Sequence, residues 1–205
     1  MSYRKRGIDK LRYDRVAKFY DQFESAMEFF AFTKWRRHLF DRIGPLKGQI
    51  GLEIGVGTGK NLHFYKEGRY VAFDVSEKMI SKARRRENGK EVSLILADAE
   101  SLPFKNNTFD TAFSTFVFCS VENPVNGLKE AHRVLKTNRK ALFMEHMLPR
   151  IRILQPLFNF LNPLARMMGP EINRRTDENI KKAGFKMILE KNLLLTIFRL
   201  MEAKK

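Results

Sequence analysis

A chain of 205 residues that is 43% hydrophobic can bury one sizeable core, and a single cysteine, Cys119, excludes an internal disulfide framework. The formal charge of +16 favours polyanionic surfaces: nucleic acid, or a membrane leaflet carrying anionic lipid. The basic start, Met1 to Arg6, leads into charged sequence instead of an apolar run, and no run approaches the roughly 18 apolar residues that span a bilayer. The protein is therefore expected to be intracellular.

In chain order, residues 13–43 read as helical and aromatic, with Phe19, Tyr20, Phe23, Phe29, Phe30, Phe32, Trp35 and Phe40. From about residue 50 to 146, short apolar runs alternate with polar helical stretches, the pattern of parallel strands joined by helices. Strands are expected at Ile50–Ile54, Tyr70–Asp74, Val92–Ala97, Phe109–Thr115 and Lys140–Glu145. Helices are expected at Asn61–Tyr65, Lys78–Arg86 and Pro124–Leu135, the last with proline in its first turn. In residues 149–170, Leu154, Leu157, Phe158, Leu161, Leu164 and Met168 share one helical face, interrupted by Pro156 and Pro163 and flanked by Arg150, Arg152 and Arg166. Such a stripe either packs on the protein's own core or forms a lid that dips into a membrane interface. A helix Asp177–Ala183 closes at Gly184, and strands Lys186–Leu189 and Leu194–Glu202 are too close in sequence for a parallel crossover, so they must be antiparallel.

Chemistry concentrates at the predicted strand ends, where an open α/β sheet binds its ligands. After the first strand comes Glu53-Ile54-Gly55-Val56-Gly57-Thr58-Gly59. Lys60 stands where a dinucleotide fingerprint needs its third glycine, and Asn61 where a P-loop needs a magnesium-binding hydroxyl. The second strand ends at Asp74, 19 positions beyond Gly55 and suited to accept both hydroxyls of a ribose. The third ends at Asp98-Ala99, where the carboxylate can accept an adenine amino hydrogen and Ala99 can donate a backbone N–H.

The spacing Glu-x-Gly-x-Gly-x-Gly, the block from Ala97 to Phe104 and the block from Phe116 to Val121 resemble the methyltransferase-11 group of class I S-adenosylmethionine-dependent methyltransferases. The resemblance implies an α/β fold, a three-layer, seven-stranded Rossmann-like sheet with N-terminal helices and an inserted amphipathic segment. It implies one domain over residues 1–205, with a helical cap at 1–45 and an apolar lid at 149–171. S-adenosylmethionine would be held by Glu53, Gly55, Gly57, Gly59, Asp74, Val75, Asp98, Ala99 and Thr115. The usual Lys-Pro-Gly-Gly turn before the fifth strand reads Lys136-Thr137-Asn138-Arg139-Lys140, a departure away from the site.

Tyr13-Asp14, Tyr20-Asp21, Met144-Glu145-His146 and residues 169–176 are similar to bacterial phospholipid N-methyltransferases, which methylate phosphatidylethanolamine. On that reading Tyr20, Glu145 and His146 accept or orient the amine's proton, Tyr13 meets the head group, and Arg174 and Arg175 meet the phosphodiester. The enzyme would lie on the inner leaflet of the cytoplasmic membrane, with an anionic membrane surface and a phospholipid as partners. The same blocks are similar, less fully, to quinone C-methyltransferases and to thiol methyltransferases. A nucleic-acid substrate is disfavoured, because Ser114-Thr115-Phe116-Val117 replaces the Asn/Asp-Pro-Pro-Tyr/Phe of base-amine enzymes. No residues show metal-ligand spacing, and direct methyl transfer needs no metal.

Overall fold

The computed structural model describes residues 31–205. Seven strands are ordered β3-β2-β1-β4-β5-β7-β6. The chain divides into two compact units, the first ending at Asp98 and the second running from Ala99 to Lys205.

The first unit contains helix α1 (Thr33–Ile43), β1 (Leu46–Ile54), β2 (Gly68–Asp74), helix α2 (Glu77–Arg84) and β3 (Val92–Leu96). Both strand pairs, β1 with β2 and β2 with β3, are parallel. Residues 51–54 of β1 are buried in succession, the mark of a parallel strand covered on both faces. Leu39 and Phe40 of α1 pack into this core with Leu52, Ile54, Leu62 and Phe73. Ser76 starts α2: its Oγ accepts from the Met79 N–H at 3.2 Å, with Glu77 in the first turn and Lys82 and Arg84 in the last, as the helix dipole favours.

The second unit contains β4 (Phe109–Thr115), helix α3 (Pro124–Val134), β5 (Leu135–His146), helix α4 (Gln155–Met168), helix α5 (Thr176–Lys182), β6 (Lys186–Leu194) and β7 (Phe198–Lys204). β4 and β5 are parallel, whereas β7 runs antiparallel to both β5 and β6. Phe109, Phe113, Phe118, Leu128, Leu142 and Phe143 fill its core.

Three differences from the sequence reading have physical causes. Residues 61–65 form a single 3₁₀ turn, Leu62–Phe64, because Tyr65 leaves it extended at ψ 126° and its hydroxyl is tied to Glu53. β5 begins at Leu135 rather than Lys140, since Asn138 takes the left-handed conformation (φ 63°) that asparagine tolerates and lets the chain kink without ending the strand. The β6–β7 turn falls on Leu195 and Thr196, both left-handed at φ 45° and 61°. Neither residue is a turn former, so the sequence carries no signal there. Among the described residues no helix is long and apolar enough to cross a membrane, and no group of side chains is arranged to hold a metal ion.

Candidate functional site

In the first unit the glycine loop is pinned from several sides. The Val56 N–H donates to the Phe73 carbonyl at 2.8 Å, and the Gly57 N–H donates to Asp74 Oδ2 at 3.0 Å. Asp74 Oδ1 accepts from the Ser76 N–H at 2.9 Å, so one carboxylate orders both the loop and the start of α2. Arg86 donates to the carbonyl and the hydroxyl of Thr58, at 2.8 and 2.7 Å. Gly57 is left-handed (φ 54°), and a Cβ there would meet no atom of the described residues within 4 Å, so among these residues the loop presents bare backbone. Gly59 serves a different purpose: a Cβ would come within 2.9 Å of Ala83 Cα, so glycine is what lets the loop lie against α2.

Glu53 is placed behind the loop rather than before it. It has no exposed surface, and its oxygens accept from Asn61 Nδ2 at 2.5 Å and from the Tyr65 hydroxyl. Asn61 in turn accepts from the buried Arg36 at 2.6 Å. Burial pushes the Glu53 carboxyl up to about 7, against the opposing pull of those hydrogen bonds and of Arg36. Glu53 is therefore a positioning residue for the loop. Arg36, Asn61, Tyr65 and Arg86, which complete this support, stand in the sequence as ordinary helix and turn residues.

Asp98 follows β3 directly, and the Ala97 N–H donates to the Asp74 carbonyl at 3.0 Å. The strand ends that carry Asp74 and Asp98 are thus adjacent. Val75, half-buried, lies between the Asp74 strand end and α2.

In the second unit the ends of β4 and β5 carry Thr115 and the Glu145-His146 pair. Glu145 is fully buried: it accepts from Ser114 Oγ at 2.6 Å, from the Val117 N–H at 3.0 Å and from the Phe118 N–H at 3.1 Å. Burial pushes its carboxyl up to about 7. Through these bonds Glu145 fixes the turn after β4, where Phe116 is held left-handed at φ 59°. His146 behaves differently. Its ring stacks on Phe158 at 6.2 Å and meets the edge of Phe198 at 5.0 Å, and Phe198 also meets Phe116 at 5.7 Å. Its Nδ1 is buried with no hydrogen-bond partner among the described residues, and burial pushes the imidazole down to about 4, so it is neutral at physiological pH. Three half-buried phenylalanines and a neutral histidine make an aromatic cup at the end of β5.

The arginines expected to meet a phosphodiester are otherwise occupied. Arg174 is clamped to the Phe118 carbonyl at 2.9 Å, the Val121 carbonyl and Glu171 at 3.0 Å, and Arg175 is exposed and paired with Glu178 at 3.1 Å. Thr176 begins α5 without capping it, and its buried hydroxyl lacks a partner. Cys119 is buried and its thiol pushed up to about 12, which leaves it inert. Tyr13 and Tyr20 lie outside the described residues.

The model of the methyltransferase domain family, Methyltransf_11, matches residues 52–143. The C-methyltransferase UbiE of ubiquinone/menaquinone biosynthesis from Blochmanniella pennsylvanica is 30% identical over 172 residues, covering 77% of this chain and 68% of its own. The chain belongs to the class I S-adenosylmethionine-dependent methyltransferases. The UbiE of Geotalea uraniireducens is 28% identical over 157 residues, covering 72% of this chain and 67% of its own. The chain thus spans about two thirds of the length of these relatives. A solved S-adenosylmethionine-dependent methyltransferase from Thermotoga maritima shares the fold, with a TM-score of 0.68 at 22% identity, covering 92% of this chain and 97% of that one. The seven-stranded Rossmann-like methyltransferase fold and the cofactor S-adenosylmethionine follow for this methyltransferase.

Two observations fit the cradle to that cofactor: backbone at Gly57 that no described side chain covers, and a carboxylate, Asp74, that ends the adjacent strand and is bonded to the loop itself. The expectation of phosphatidylethanolamine N-methylation is overturned. Relatives matched across most of the chain are named as quinone C-methyltransferases, and Arg174 is committed to protein carbonyls.

Proposed function

We propose that this methyltransferase adds a methyl group to a ring carbon of a quinol, the reduced form of a lipid-soluble quinone. The observation that carries the reading is the activity printed for the 30%-identical relative, and the aromatic cup at the end of β5 gives it chemistry. When bound, S-adenosylmethionine supplies an activated methyl on a sulfonium. A quinol carbon becomes nucleophilic when the neighbouring hydroxyl loses its proton, so the protein must supply a neutral base in apolar surroundings. His146 is the candidate: its ring lies in the cup among Phe158 and Phe198, it is neutral, and Nδ1 has no hydrogen-bond partner among the described residues, so it can accept a hydroxyl hydrogen. Phe116, Phe158 and Phe198 present apolar faces and edges to a flat ring and exclude water from the proton transfer. Transfer to the ring carbon would leave the cofactor as a neutral thioether, and the ring hydrogen would leave as a proton to restore aromaticity. Asp74 and the Gly57 backbone orient the cofactor; Glu53 and Glu145 hold the loops that shape the two strand ends. An inner-leaflet location, where such a quinol resides, belongs to the same proposal.

The test incubates the purified chain with S-adenosylmethionine and a chemically reduced short-chain quinone, and reads the product by mass. A gain of one methyl group on ring carbon is expected; methylation on oxygen alone, or none, sinks the reading. In the same assay His146→Gln should lower turnover about a hundredfold, the usual contribution of a general base, with cofactor affinity unchanged. Undiminished turnover would remove His146 from the chemistry.

A pH measurement checks the environment of His146 independently of activity. Its folded value of about 4 lies below the ordinary 6.5, so between those values the unfolded chain binds the proton first. Stability is therefore lost as pH falls from 6.5 towards 4. Relative to the parent, His146→Gln should gain thermal stability on going from pH 7.5 to pH 4.5. An equal difference at both pH values would mean the imidazole is not buried as described.

A further inference from the structure

Helix α4 is inside out. Two of its asparagines are engaged by the segment that follows it: Asn162 Oδ1 accepts from the Ile172 N–H at 2.8 Å, and the exposed Asn159 Oδ1 accepts from Asn173 Nδ2 at 3.1 Å. Phe158 packs on His146. Large apolar side chains face outward, with Ile153 84%, Phe160 81%, Leu164 63% and Met167 79% exposed, and Leu157 half-exposed between them. Positions 153, 157, 160, 164 and 167 recur at helical spacing, so they form one continuous stripe. The stripe predicted from sequence thus splits, Phe158 turning inward while Leu157, Leu161 and Leu164 turn outward.

A second element extends the stripe. The Arg150 N–H donates to Thr196 Oγ1 at 3.0 Å, which sets the β6–β7 turn beside the start of this segment. At the tip, Leu195 is 62% exposed on a left-handed backbone that ordinarily belongs to Asn or Gly. A leucine there and a β-branched threonine beside it strain the turn, and the strained residue is the one displayed. Residues 147–170 contain three arginines and no acidic residue. Two arginines of this segment are paired, Arg150 with Asp177 and Glu190 and Arg166 with Glu171 at 3.5 Å. Arg152, between the exposed Ile151 and Ile153, is itself exposed and has no carboxylate partner among the described residues.

We propose that this face, made of Ile153, Leu157, Phe160, Leu164 and Met167 with Leu195 at its edge, inserts into the interface of an anionic phospholipid bilayer, Arg152 meeting lipid phosphates. An outward apolar stripe with the exposed Arg152 at its start, on a protein of formal charge +16, matches that surface in both polarity and charge. The docking goes beyond the choice of methyl acceptor: it concerns where the enzyme sits, and it stands whether or not the acceptor is a quinol.

The test mixes the full chain with vesicles of phosphatidylcholine alone or with phosphatidylglycerol, and follows flotation. The parent should float with the anionic vesicles, less at high salt. Phe160→Gln/Leu164→Gln/Met167→Gln, three exposed positions given a helix-forming residue, should bind about a hundredfold more weakly with unchanged melting temperature. Leu195→Asn should weaken binding several-fold while holding or raising the melting temperature, because asparagine tolerates the left-handed turn. Methylation of a water-soluble quinol should be unchanged in both variants; its failure in the parent would count against the quinol reading and not against docking. Three results overturn the proposal: no flotation of the parent, a triple variant that floats like the parent, or a parent dimer that the triple substitution splits in buffer without vesicles. The last would assign the face to a second copy of the chain.

Discussion

Arg199→Ala should cost about 4 kcal/mol of folding stability, the usual penalty for removing one member of a buried ionic network. Arg199 is almost completely buried, and each part of its guanidinium is engaged. Nη1 donates to Asp177 at 2.9 Å and Glu190 at 3.1 Å, Nε to the Thr196 carbonyl at 2.8 Å, and Nη2 to the Leu148 carbonyl at 3.0 Å. One side chain therefore joins β7, α5, β6, the strained turn and the segment leading out of β5. Without it two carboxylates share the more exposed Arg150, and two carbonyls lose a charged donor. For a chain of this size the melting temperature should fall by about 12 °C. A loss under about 2 °C would show that the network is dispensable.

The same network sets an acid limit. Burial alone would raise Asp177, but hydrogen bonding from Arg150 and attraction to Arg199 prevail and hold it below the ordinary 3.8. A carboxylate lowered in the folded state adds stability above its unfolded value, and that stability is lost as pH falls through the folded value. In Arg199→Ala burial is less opposed, so acid unfolding should begin at a higher pH than in the parent.

Asp74→Ala should weaken S-adenosylmethionine binding close to a thousandfold, about 4 kcal/mol for two charge-assisted hydrogen bonds to a ribose. The substitution also frees the Gly57 N–H from its 3.0 Å bond, so the loop loses an anchor as the cofactor loses a partner. Asp74→Asn should fall between the two, because one amide oxygen cannot serve both the loop and the Ser76 N–H. Titration calorimetry on the folded variants decides the matter. An affinity within about threefold of the parent would move the ribose contact to another residue.

The cofactor half was legible because its chemistry sits in contiguous sequence. Glycines at alternate positions, Asp74 at the expected interval and Asp98 at the next strand end need no tertiary information to be found. What was illegible depends on distant partners. Glu53 and Glu145 look available in sequence, and only the fold shows Asn61, Tyr65 and the Val117–Phe118 amides consuming them. Arg174, expected from the sequence to meet a phosphodiester, holds loop carbonyls that lie more than 50 residues away in the chain. The aromatic cup draws on positions 116, 146, 158 and 198, too far apart for any local pattern. The stripe on α4 had the right period but undetermined facing, since periodicity does not say which side of a helix meets water.

The three-point fastening of the glycine loop has a thermodynamic consequence for cofactor uptake. Asp74 holds Gly57, Arg86 holds Thr58, and Gly59 lies against Ala83 where not even a methyl group fits. A loop so fastened has little conformational freedom left to surrender when a ligand arrives. Association should therefore be fast, with a modest heat-capacity change and no slow rearrangement phase from this loop. Whatever gating the reaction cycle contains must reside in other parts of the chain.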